Sequence, residues 1–171
     1  MQQAIYVHDQ NFQPNGLKEW MESFDKSGTE NTKKLTDQIQ LSMNRCVLGE
    51  LEKEHGTQWW YDGVPSTVRT KCATRREEEK GIHDAEQYLD LIDYKTIALA
   101  SSHWSKIFQK YFVIDDQQGD KKKKLAWMDK LNDIRKIESH PERGLLTTDQ
   151  VDFVKNLHVR LEKNLEGYWQ Q

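Results

Sequence analysis

Apolar positions along most of this chain recur at three- and four-residue intervals, the spacing that puts them on one face of an α-helix. The first sixteen residues are the exception. Ala4, Ile5, Tyr6 and Val7 form a short mixed run that stops at Gln13-Pro14-Asn15-Gly16, a turn signal. We read 1–16 as an irregular N-terminal arm, a short strand or a tail, and 17–171 as one helical domain. Leu17, Trp20, Met21 and Phe24 give a brief helical face that Lys26-Ser27-Gly28-Thr29 is expected to interrupt. Leu35, Ile39, Met43, Cys46, Val47 and Leu51 then predict a long helix that stops at Gly56, because glycine adopts the left-handed backbone that ends helices.

Trp59-Trp60-Tyr61-Asp62-Gly63 reads as an aromatic loop, and Pro65 as a first-turn residue of a helix running to about Lys80, with Gly81 ending it. Leu89, Ile92, Ile97 and Leu99 continue in helical style with Asp93 able to cap a new turn, and Trp104, Ile107, Phe108, Tyr111 and Phe112 make an aromatic face. Asp115 to Asp120 is a polar loop whose last residue caps the next helix. That helix opens with Lys121, Lys122, Lys123 and Lys124 and turns Leu125, Met128, Leu131 and Ile134 to the core. His140-Pro141 closes it, since the residue before a proline is pushed out of the helical region. Thr147-Thr148-Asp149-Gln150 has the form of a capping box for a final helix bearing Val151, Val154, Leu157, Leu161 and Leu165. With no internal repeat and no β-alternation beyond the first residues, the pattern predicts an all-α helical bundle.

Composition changes this picture in three places. A chain of 171 residues is the size of one domain, and its 6 Trp, 6 Tyr and 5 Phe supply a core although 31% of residues are charged. The net charge of −3 leaves no global positive field, so contact with RNA has to be local. No apolar run reaches the ~20 residues of a membrane span, and the start has no signal-peptide character, so a cytoplasmic protein with no membrane contact is expected. Cys46 and Cys72 lack CxxC spacing and are expected as buried free thiols. His8, His55, His83, His103 and His158 show no paired ligand spacing on a common helix face, so neither a metal site nor a cofactor is expected.

The stretch from Leu131 to Pro141 carries the candidate chemistry. Arg135 lies near a helix end and His140 five residues on; five helical residues turn through about 500°, so only a loosened last turn brings the two side chains together. A guanidinium grips phosphate with two parallel hydrogen bonds, and imidazole exchanges protons near neutral pH with a 2′-hydroxyl or a leaving 5′-oxygen. The pair is therefore a sufficient kit for cleaving RNA without a metal. A helix C-terminus repels phosphate, a cost that a second copy supplying its own arginine would relieve. The plainer reading pairs Arg135 with Glu138 or Asp133 on a solvated surface and leaves His140 as a helix end. Lys121 to Lys124 are a candidate phosphate-binding patch or simply solvated surface, and Trp59, Trp60 and Tyr61 either stack on bases or anchor the core.

Arg135 through His140 resembles the Arg-x4-6-His signature of the HEPN superfamily, and LNDIRKIESHPERGLLTTDQVDFVKNLHVRLEKNL looks like the end of HEPN domains in prokaryotic defence proteins. The similarity is strongest from Lys123 to Leu165 and extends more weakly to Trp59–Pro65 and Tyr88–Tyr94. The resemblance implies a HEPN-like bundle that pairs as a homodimer, with Arg135 and His140 of both copies across a shared cleft. It implies a metal-independent endoribonuclease of a toxin or antiviral defence system, working within or beside a larger defence protein. It also makes Asp90 and Asp93 candidates for orienting the imidazole, with Lys136 and Glu138 as neighbours of the motif. Active members often carry Asn, Asp or His directly after the arginine, whereas Lys136 stands here. The alternative is a catalytically silent module for dimerisation or for binding nucleic acid or nucleotide.

Overall fold

A computed structural model of the chain describes residues 17–100, 103–114, 119–140 and 145–169, with the backbone alone for 17–27 and 29. The expected arm over 1–16 and the proline after His140 lie outside the described residues. Among the described residues there is no strand, and the architecture is all-α.

The long helix α1 spans Leu17–His55, 39 residues, and passes straight through the segment around Gly28 that was expected to interrupt it. An interior glycine costs a helix only about 1 kcal/mol relative to alanine. Thr32 donates its hydroxyl back to the Gly28 carbonyl at 2.8 Å, so a side chain that often competes with helical bonding is satisfied inside the helix. The predicted stop holds: Gly56 takes φ +59. After a 3-10 turn over Gly56–Gln58, the aromatic run expected as a loop is instead a short helix, α2 (Trp59–Gly63), with Trp59 and Trp60 packed edge to face at 5.5 Å. Burying both indoles against the core outweighs weak local helix preference. Gly63 makes room there: a Cβ would stand 2.9 Å from side-chain atoms of both Leu51 and His55, which would have to shift.

Pro65 precedes α3 (Ser66–Glu78), which unwinds at Lys80 and Gly81, φ 58 and 71. A 3-10 turn (Ala85–Tyr88) leads to α4 (Leu91–Leu99). The cap of α4 is Asp90; Asp93 is the reciprocal residue of the capping box and not the cap expected from sequence. Trp104–Phe108 form a π-helical turn that runs into α5 (Gln109–Phe112). Asp120 accepts from the Lys123 amide at 2.9 Å and caps α6 (Lys121–Lys124), as anticipated. A turn at Leu125 connects to α7 (Ala126–Glu138), and the predicted Thr147/Gln150 box opens α8 (Thr148–Asn164).

Helix α1 is the spine on which α2, α4, α7 and α8 pack. Ile39, Met43, Val47 and Leu51 meet Leu131 and Ile134 of α7 and Val154, Leu157 and Leu161 of α8 in one cluster, each almost fully removed from water. Burial of side chains of this size is worth about 1.5–3 kcal/mol apiece. Phe108 and Phe112 stack at 5.3 Å, and the Trp127 indole N–H donates to the Phe112 carbonyl at 3.1 Å. Cys46 and Cys72 are free and buried, and burial pushes the Cys72 thiol up to about 11. At the chain end, Tyr168 donates to Glu50 while Lys53 donates to Glu50 at 2.7 Å and to the Tyr168 oxygen at 2.6 Å, fastening the last turn to α1. No helix among the described residues is long and apolar enough to cross a membrane.

Candidate functional site

One stripe of α1 places Asp37, Gln40, Leu41 and Asn44 on a common face, at intervals of three and four residues. Opposite it, Gln87 and Leu89 from the segment before α4, Tyr94 of α4 and Arg135 of α7 complete a cleft of about 410 Å³. Tyr94 is 1% exposed. Its hydroxyl accepts from the Asn44 amide at 2.9 Å and faces the Leu89 carbonyl at 3.4 Å. Burial pushes the phenol up to about 12, so the cleft floor is neutral at physiological pH.

Arg135 sits in the last turn of α7, where the carbonyl-rich helix end favours a cation. Three carboxylates lie close in sequence or space, and each is held by another group. Asp133 pairs with Lys136 at 2.9 Å, Asp37 with Lys33 at 3.0 Å, and Glu138 accepts from the Thr36 hydroxyl at 3.2 Å. Among the described residues the Arg135 side chain has no hydrogen-bond or ion-pair partner, and Arg135 lines the cleft. Burial, together with the neighbouring Asp37, raises the Glu138 carboxyl against the opposing pull of Thr36, Lys33 and Arg135.

His140 occupies a different position. The Ser139 amide still bonds to the Arg135 carbonyl at 2.9 Å, and the His140 amide bonds to the Ile137 carbonyl at 3.1 Å, so the last turn tightens instead of loosening. His140 is exposed and is not one of the residues lining the cleft.

Asp90 and Asp93 are occupied by α3. Lys71 bonds Asp90 at 2.9 Å and Asp93 at 2.8 Å, and Arg75 reaches Asp90 at 3.1 Å and the Tyr88 carbonyl at 3.0 Å. Burial alone would raise Asp90, but the bond and charge of Lys71 outweigh it and lower the carboxyl to about 2. These two acids tie α3 to α4. Lys121 donates to the Leu99 carbonyl at 2.9 Å and caps α4, Lys122 and Lys123 are exposed, and none of the four lysines lines the cleft. Trp59 and Trp60 pack partly buried against the core, whereas Tyr61 is exposed beside the Arg69 guanidinium.

Sequence reasoning did not single out Asp37, Gln40, Leu41, Asn44 or Gln87 for the cleft, and Tyr94 entered only within the Tyr88–Tyr94 stretch. The available signal was the polar stripe of α1 set against its apolar face. The chain matches no protein-family model, no curated protein and no solved structure in comparisons with each.

Proposed function

We propose that the chain is a HEPN-type, metal-independent endoribonuclease in which Arg135 grips the scissile phosphate and His140 moves the proton, with two copies completing the site. The observation that carries this reading is the unpaired guanidinium of Arg135 on a cleft wall, while the acids around it are engaged elsewhere. A guanidinium held this way is available for a bidentate phosphate contact.

In the reaction the 2′-oxygen forms a bond to phosphorus as the bond to the 5′-oxygen breaks. Imidazole accepts the 2′-hydroxyl proton, a proton is returned to the leaving 5′-oxygen, and Arg135 neutralises the charge that gathers on the phosphoryl oxygens. The second copy brings its own Arg135 and His140, which offsets the repulsion of phosphate by the C-terminus of α7. Membership of a larger defence assembly belongs to the same proposal and rests on the sequence resemblance.

Incubation of the purified chain with labelled RNA in EDTA tests it. Cleavage should yield 2′,3′-cyclic phosphate ends and spare DNA, which lacks the attacking hydroxyl. His140→Ala should lose about 10²–10⁴-fold and Arg135→Ala about 10²–10³-fold, both remaining folded. Cleavage that persists in His140→Ala, or that cuts DNA equally, overturns the proposal. The position of His140 away from the cleft wall favours one second reading, a silent module in which Arg135 binds nucleic acid or nucleotide; RNA binding without cleavage by a dimer selects it.

A further inference from the structure

Two side-chain carboxamides stand on opposite walls of the Arg135 cleft. Gln40 lies on the α1 wall with Leu41 and Asn44, and Gln87 lies on the other wall with Arg135. Among the described residues neither glutamine side chain has a hydrogen-bond partner, although Gln40 is partly buried. Asn44 donates one amide hydrogen to the Tyr94 hydroxyl at 2.9 Å, which leaves its carbonyl oxygen open. Leu41, 49% exposed, adds an apolar surface to the same wall. The cleft of about 410 Å³ falls within the roughly 300–1,000 Å³ of pockets that hold small ligands.

We propose that this cleft selects adenine: one adenosine nucleotide lies in it with its phosphate on Arg135 and its base between Gln40 and Gln87. The inference rests on the reading of Arg135 as a phosphate ligand and adds what the rest of the cleft recognises. A carboxamide presents a donor beside an acceptor, so it pairs by two parallel bonds with a base edge that offers an acceptor beside a donor. Adenine offers such an edge twice, because the two hydrogens of its N6 amine lie next to N1 on one side and N7 on the other. Two carboxamides on opposite walls therefore match both edges of one adenine. Cytosine and uracil have such an edge on one side only. Guanine turns two acceptors, N7 and O6, to the side where adenine has its second edge, a pattern that calls for a guanidinium. A carboxylate would suit the N1–H and N2–H groups of guanine, but Asp37 already pairs with Lys33 at 3.0 Å. Leu41 meets the face of the ring.

An unstacked adenosine of single-stranded RNA and a free adenine nucleotide share this chemistry. The test is fluorescence anisotropy of the full chain with short labelled 2′-O-methyl oligouridines, unsubstituted or carrying one central A, C or G. These lack the attacking hydroxyl, so binding is read apart from cleavage. The oligonucleotide with A should bind about 5–30-fold more tightly than the unsubstituted one. Gln40→Met and Gln87→Met keep the length of the side chain and remove its polar end. Each should shrink the preference and leave binding of the unsubstituted oligonucleotide unchanged, whereas Arg135→Ala should weaken all four alike. Displacement by AMP assigns the free nucleotide as the ligand, and an adenine preference that AMP does not compete assigns RNA. No binding, equal affinity for all four, a preference for G, or an adenine preference that survives in the double glutamine variant overturns the proposal. Cleavage is followed separately on ordinary RNA: a chain that prefers adenine without cutting supports this inference and overturns the nuclease, and one that cuts without any base preference does the reverse.

Discussion

Asn44 of α1 donates its side-chain amide to the Tyr94 hydroxyl of α4 at 2.9 Å, so the floor of the Arg135 cleft is a hydrogen bond between two helices. Tyr94→Phe keeps the ring in its buried place but strands the Asn44 donor. The expected loss is about 1–2 kcal/mol, or a fall in Tm of roughly 2–6 °C, with the cleft otherwise intact. Urea unfolding of the two proteins side by side measures it; an unchanged midpoint would show that the bond contributes nothing.

Alkaline pH provides a second test of the same residue. Burial raises both Tyr94 and Tyr168 to about 12 from the ordinary value of 10.0, with the hydrogen bond to Glu50 adding to the effect at Tyr168. A group raised on folding contributes stability that is complete below its unfolded pKa and lost as pH rises through the folded one. Stability should therefore fall between pH 10 and 12 through these two phenols, and Tyr94→Phe should flatten that slope. Tyrosinate absorbance followed during a pH titration should lose part of its late-ionising amplitude in Tyr94→Phe.

The junction of α3 and α4 should respond at the opposite extreme. Asp90 is lowered to about 2 from 3.8, so its contribution is present above pH 3.8 and disappears as pH falls through about 2. Lys71→Met removes the cation that Asp90 and Asp93 share. At neutral pH the variant should be less stable by about 1–3 kcal/mol, since Asp93 stays buried without its partner. Its acid unfolding curve should also be shallower between pH 4 and 2 than that of the wild type.

Gly49 lies within α1, and a Cβ there would stand 3.2 Å from the Tyr168 ring. Alanine in a helix interior usually gains about 1 kcal/mol over glycine. Here the ring is held by Glu50 and Lys53, so Gly49→Ala should give no gain in the wild-type background and the full gain in Tyr168→Ala. A double-mutant cycle that comes out additive would show that Tyr168 yields freely.

Glu138 is a negative charge beside Arg135 that no cation pairs, half-buried and held by Thr36. Glu138→Gln keeps the acceptor for Thr36 and removes the charge. Binding of a short single-stranded RNA, measured by fluorescence anisotropy, should tighten by about 2–5-fold, the worth of one partly screened charge. Weaker binding in this variant would mean that the carboxylate itself contacts the ligand.

Where local pattern and local chemistry agree, the sequence was a sufficient guide. Leu125, Met128, Leu131 and Ile134 line the core as their spacing requires, and Asp120, Gly56 and the Thr147/Gln150 pair begin or end helices within a turn of their own position. The misses share a cause, which is that tertiary partners decided them. Gly28 looked like a break because local signals weigh one glycine without the long helix around it. Trp59 and Trp60 looked like a loop because the surface that buries them comes from elsewhere in the chain. Asp90 and Asp93 looked available because nothing in their own segment announces Lys71 and Arg75 nineteen and fifteen residues earlier. The cleft was half legible: Arg135 stood out by its motif, but Asn44 and Tyr94 meet across 50 residues. His55 and His103 likewise meet across 48 residues, and neither segment announces the other.

The π-helical turn at Trp104–Phe108 makes this region sensitive to residue count as well as residue type. Such a turn holds one residue more than an α-helical turn would, so deleting a single residue from it restores regular helix while rotating whatever lies before it by about 100° relative to whatever lies after. With Phe108 and Phe112 fixed in the core, that rotation would fall on His103 and swing its ring off His55. A lineage of this chain could therefore gain or lose the histidine contact through an insertion or deletion of one codon, with every histidine still present in the sequence.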